Sequence, residues 1–166
     1  EMCIRDSTPS KTNTPSGDNP KSNDPNNPGT GGDVPSTVNF SNRGLTLTPN
    51  NSAEIAPNGS TTYTHTLTNK GNKPESDLTF TVKDTAGDNI DVSSVTYTAP
   101  DGTKTTLTPT NGVYTIPGKL DAGQAGKIEV TVKSNNATLN TSDAATITVT
   151  PAAGTNGDAP AAVSAT

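Results

Sequence analysis

His65 is the chain's only histidine, and so the one side chain whose ordinary pKa lies near neutrality; any hydrolytic chemistry would have to run through it. A Ser-His-Asp set would need His65 beside Ser60 or Ser76 and an acid such as Asp77. Tyr63, His65 and Leu67 alternate with threonines, however, which places the imidazole on the inner side of a strand, as a hydrogen-bonded structural histidine. Asp84, Asp88 and Asp91 could offer oxygen ligands to calcium, but their loop is the favoured place for solvated carboxylates. Zinc chemistry lacks ligands, because Cys3 is the sole cysteine. No carboxylate pair sits in an apolar setting that would suit acid–base work. Tyr63, Tyr97 and Tyr114 could stack on a sugar, yet each falls in the core or at its rim. Lys83 and Lys133, candidates for a Lys–Asn isopeptide crosslink, alternate outward. Asn-x-Ser/Thr sequons at Asn39, Asn50, Asn58, Asn136 and Asn140 arise by chance in a chain rich in Asn and Thr. The reading is no enzyme: no catalytic, cofactor-binding or metal residues, and no cofactor.

The elements that would position these residues are short strands. Gly59–Asn72 reads GSTTYTHTLTNKGN, with one apolar face, one hydroxyl face, and turn signals at both ends. Leu78, Phe80 and Val82 alternate with Thr79 and Thr81. Ile90 and Val92, then Val95 and Tyr97, continue the pattern, with a bend at Ser93-Ser94. Pro100-Asp101-Gly102 and Asn111-Gly112 are hairpin turns. Ile128, Val130 and Val132 alternate, as do Ala145, Ile147 and Val149. About eight short strands, spaced by ten or so residues without helices, predict an all-β, two-sheet antiparallel sandwich.

Composition agrees. Hydrophobic residues make up only 27% and Trp is absent, so the core must be thin. The net charge of −5, with Lys and Arg scattered singly, argues against a nucleic-acid face. No apolar run reaches the ~20 residues of a membrane-spanning helix.

Residues 8–37 read as a disordered linker punctuated by six prolines, with Val34 its one large apolar residue. Burying one valine contributes at most ~3 kcal/mol, while each ordered residue costs ~1–2 kcal/mol in backbone entropy. Disorder wins that comparison. The sandwich is expected over 38–150, followed by a linker tail over 151–166. The first seven residues, EMCIRDS, resemble translated sequencing-adapter read-through from metagenomic assemblies and are set apart from fold reasoning. A cut reading frame would continue into another all-β domain.

Pro57–Asn72, together with Tyr97–Thr103, Gly112–Ile116 and Leu120–Gly123 in that order, resembles the bacterial conserved repeat domain. The resemblance covers about residues 44 to 151. It implies an immunoglobulin-like fold in a secreted or cell-surface protein, and it supplies no catalytic residues. The expected function is a structural spacer module whose partners are neighbouring domains of the same polypeptide. The alternative is an adhesive or ligand-binding module working on a cell-surface or extracellular ligand through loops 84–91 or 135–141. A weaker one is an accessory domain of an extracellular enzyme.

Overall fold

Side chains of a strand point alternately to its two faces, and the threonine-rich segments obey that rule along nearly their whole length. The computed structural model describes residues 41–154 and 160–166. Its strands are β1 (Leu45–Thr48), β2 (Ser60–Asn69), β3 (Glu75–Ser76), β4 (Thr79–Lys83), β5 (Ile90–Thr98) and β6 (Lys104–Leu107). They continue as β7 (Val113–Thr115), β8 (Lys119–Leu120), β9 (Ala125–Ser134), β10 (Thr146–Thr150) and β11 (Val163–Ala165). A five-stranded sheet, β1-β2-β9-β5-β6, packs against a four-stranded one, β11-β10-β4-β7, and β3 pairs with β8 in a small ladder. All pairings between strands are antiparallel. The fold is an all-β sandwich, as the sequence predicts.

The core is shared between the sheets. Leu67, Ile128, Val130, Val95 and Tyr97 meet Phe80, Ile147 and Val149, each at most 2% exposed. Full burial of one such side chain contributes about 1.5–3 kcal/mol. Phe80 stacks on Tyr114 with ring centroids 4.9 Å apart, tying β4 to β7. Gly126 has a packing role: a Cβ there would fall inside the ring of Tyr97, so glycine alone lets the tyrosine lie flat across β9. The bend at Ser93-Ser94 is a β-bulge inside one continuous strand, β5, where the register with β9 shifts between Val92 and Ser94. Asn111-Gly112 makes the expected two-residue turn, with Thr110 and Val113 exchanging both backbone hydrogen bonds. Lys83 and Lys133 are exposed, as alternation requires.

The tail over 151–166 is not wholly a linker, because Val163–Ala165 pair with Val149–Ile147 as β11 and Ala165 is buried. Three residues are too short for alternation to register, and alanine fills the narrow space beside Ile147 without a long apolar run. The resemblance to adapter read-through over 1–7, the linker over 8–37, Val38, Asn39 and Phe40 lie outside the described residues.

Both edges of the sandwich are managed. On one side β1 and β11 come together, with Asn51 N–H donating to Thr166 O at 2.7 Å and Thr166 N–H donating to Asn50 Oδ1 at 3.0 Å. On the other, the connection through residues 108–112 carries the chain from β6 to β7, edge strands of three or four residues. Short, covered edges offer little template for pairing with other chains.

Candidate functional site

Three polar arrangements stand out from the threonine surface. The first lies where β2 ends. Asn69 continues the inner-face series Tyr63, His65, Leu67 and is fully buried. Its Nδ2 donates to Lys73 O at 2.7 Å and Leu120 O at 2.9 Å, and its Oδ1 accepts from Gly71 N–H at 2.9 Å. Its backbone N–H donates to Gln124 O and its carbonyl accepts from Gly123 N–H, both at 3.0 Å. One side chain thus pins the β2–β3 turn to the β8–β9 corner. Gly71 is required by the close approach of the preceding segment, since a Cβ would meet the backbone of Asn42 and Arg43. Lys70 and Asn72 N–H groups donate to Gly44 and Asn42 carbonyls, each at 2.8 Å. Beside this latch Arg43 grips Glu75 with two hydrogen bonds, Nε to Oε1 at 2.9 Å and Nη2 to Oε2 at 2.6 Å. Arg43 Nη2 also donates to Ala152 O at 2.9 Å, joining the incoming chain to the segment leaving β10. Glu75 is fully buried, so removing its partner would strand a charge.

The second arrangement surrounds His65, which is 2% exposed. Its Nδ1 lies 2.8 Å from Pro49 O. A carbonyl only accepts, so Nδ1 carries the proton. Burial holds the imidazole pKa below its ordinary value, outweighing the opposite pull of the Pro49 carbonyl, and the ring is neutral around pH 7. Nε2 is then a bare acceptor with no hydrogen-bond partner among the described residues. The ring borders a cavity of about 670 Å³ floored by Ile90, Val130, Val132 and Ile147, with walls from residues 51–57 and 137–145. Ser60 and Ser76 do not join His65: Ser60 is exposed at the start of β2, and Ser76 Oγ instead donates to Asp77 Oδ2 at 3.1 Å. No triad is assembled from these residues.

The third is acidic. Asp84, Asp88 and Asp91 do not converge. Asp88 Oδ1 accepts from Ile90 N–H at 3.0 Å, and Asp91 Oδ2 accepts from Asn135 Nδ2 at 2.9 Å. Asp84 Oδ2 accepts from Val92 N–H at 3.1 Å, and its other oxygen is buried with no N–H or hydroxyl donor. Asp84 meets Asp143, a residue that no motif or spacing singles out. Burial first, then a hydrogen bond and charge repulsion from Asp143, push the Asp84 pKa up to about 6. Two carboxyl groups bond to each other only when they share a proton. Among the described residues no group of three or more His, Cys, Asp or Glu is placed to hold a metal. Tyr97 is buried, Tyr114 stacks on Phe80, and Tyr63 sits half-buried at the cavity margin. The tyrosines form no shared platform.

No protein-family model matches the chain, and no curated protein matches it. A solved structure described by the words "AvmM Catalyzes Macrocyclization in Alchivemycin A Biosynthesis" is similar at 13% identity, covering 75% of this chain and 86% of its own, with a TM-score of 0.44. A likeness at that level carries no argument about function.

Proposed function

We propose that this chain is a non-enzymatic structural module, a spacer within a larger secreted or cell-surface protein of bacterial type, with neighbouring domains of the same polypeptide as its partners. The observation that carries the reading is the direction in which the chain passes through the fold. It arrives at the Asn69 end of β2, where Leu45 pairs with Asn69. β1 then runs along β2 until Asn51 Nδ2 donates to Thr64 O. β11 runs the same way beside it, bringing Thr166 to Asn50 and Asn51. Residues 44 and 166 are therefore displaced along the strands by roughly five residues, or about 17 Å. Tension along that line loads the β1–β2 and β10–β11 hydrogen bonds in shear, so that several must break together. The Arg43–Glu75 clamp lies where tension would enter. The resemblance of Pro57–Asn72 to the bacterial conserved repeat domain supports the same reading, as do the threonine faces, which keep the sheets wettable.

Single-molecule pulling tests it. Residues 41–166 should resist extension through 41 and 166 at higher force than extension across the sheet through cysteines placed at Thr46 and Thr106. Arg43→Gln should lower the first force and leave the second nearly unchanged. Equal forces along the two directions would remove the mechanical basis of the proposal.

A further inference from the structure

The cavity beside His65 sets an aliphatic floor against polar walls, some of whose groups already hold partners. Asn51 Nδ2 is engaged by Thr64 O at 3.1 Å, and Ser134 Oγ accepts from Ala137 N–H at 3.3 Å. Asp143 Oδ1 accepts from Thr85 N–H, also at 3.3 Å, and Thr166 N–H donates to Asn50. The floor is aliphatic. Ser52, Glu54, Thr138, Asn140, Thr141 and Ser142 also line the walls, and His65, itself 2% exposed, has no described partner for Nε2, which the Pro49 carbonyl fixes as an acceptor. The volume of about 670 Å³ lies in the range of small-molecule sites, roughly 300–1,000 Å³.

Charge narrows the occupant. Glu54 and Asp143 line the cavity and, among the described residues, no Lys or Arg does, so an anion meets repulsion with no compensating cation there. A cation would lose its hydration against the aliphatic floor. From this pattern we infer that the cavity is a binding site for a small, uncharged molecule with an apolar body and a hydroxyl or N–H donor. The donor bonds to His65 Nε2, and the apolar body lies over Val130, Val132 and Ile147, with the half-buried ring of Tyr63 at the margin. The inference does not depend on the spacer reading. A spacer with an empty cavity and a binding module with no mechanical role are each consistent with one and not the other.

Three bicyclic probes separate the contributions. With untagged protein at about pH 7.5, 2-naphthol should bind saturably and shift the ring-proton NMR signals of the single histidine. Naphthalene, which lacks the donor, should bind about tenfold more weakly. 2-Naphthoate, which carries the charge, should bind more weakly than either. His65→Phe keeps a ring and removes the acceptor, so it should abolish the preference for 2-naphthol over naphthalene. The wild-type comparison stands alone if that variant does not fold. Equal affinity for 2-naphthol and naphthalene, unmoved His65 signals up to the solubility limit of 2-naphthol, or tighter binding of 2-naphthoate would each overturn the inference.

Discussion

Asn69 offers the sharpest test of how the sandwich is held together. Asn69→Ala removes three side-chain hydrogen bonds, to Lys73 O, Leu120 O and Gly71 N–H, from a residue with no exposed surface. Each bond is worth about 1 kcal/mol net, and buried backbone groups left without partners cost more, about 1–3 kcal/mol each. Since the Lys73 and Gly71 bonds are only partly buried, the expected loss is about 3–5 kcal/mol. For a domain of this size that lowers Tm by about 10–20 °C. Urea unfolding should show a lower midpoint at an unchanged slope. Asn69→Asp is the more telling substitution. It keeps the shape but turns an oxygen toward two carbonyls, and a carboxylate has no donor to give them. Burial and those carbonyls would raise its folded pKa above the unfolded value of about 3.9. A raised folded pKa stabilises below the unfolded value, and that stability is lost as pH rises through the folded one. The Asp variant should therefore be at least as damaged as the Ala variant at pH 7, and should recover partly in acid. An Ala variant within about 0.5 kcal/mol of the exposed control Thr106→Ala would refute the reasoning, as would an Asp variant without pH dependence.

Phe80→Ala should cost about 3–5 kcal/mol, because it empties a 1%-exposed core position and ends the stack on Tyr114; a melt shifted no more than that of Thr106→Ala would contradict the core assignment. Deleting residues 163–166 should cost about 1–2 kcal/mol through lost β10 pairing and exposure of Ile147 and Val149, and an unchanged urea midpoint would show that β11 adds nothing. The pH profile should contain two opposed parts. Asp84, raised from 3.8 to about 6, contributes stability present below about pH 4 and lost as pH rises through 6, with an upper limit of about 3 kcal/mol reduced by partial exposure. His65, with its pKa lowered, contributes stability complete above about pH 6.5 and lost as pH falls below it. Asp84→Asn should leave only the histidine part, so stability that still falls as pH rises from about 4 to 6 would dismiss the carboxyl pair.

The strands were legible because threonine and aliphatic residues alternate so regularly. The inner positions of Leu67, Ile128 and Ile147 follow from the period of two alone. His65 was legible in the same way, as an inward residue with a structural bond, although the identity of its partner was not. Pro49 is sixteen residues away, and its carbonyl reaches the ring because β1 pairs with β2 in a particular register. The short ladders β3–β8 and β10–β11 could not be read, since two or three residues show no period.

The polar hubs were harder, and for a physical reason. Asn69 did leave a trace, because it extends the inward series by one more step, and a polar residue at an inward position must find partners. The motif Asn69-Lys70-Gly71-Asn72 reads as a turn, and it is one, but it also serves as the socket into which residues 42–44 lock. Arg43 and Glu75 left no trace, being isolated charges 32 residues apart, and such residues usually belong to the solvated surface. What buries Glu75 is the convergence of three chain segments at the Asn69 end, a property of topology and not of any local pattern. The same holds for Asp84 and Asp143, carried by different loops that meet only because β4 and β10 are neighbours. A period of two tells which way a side chain points within its own sheet. Which loops share an end of the sandwich depends on strand order, and buried Glu75 and half-buried Asp84 and Asp143 lie where strand order, not strand pattern, brings them together.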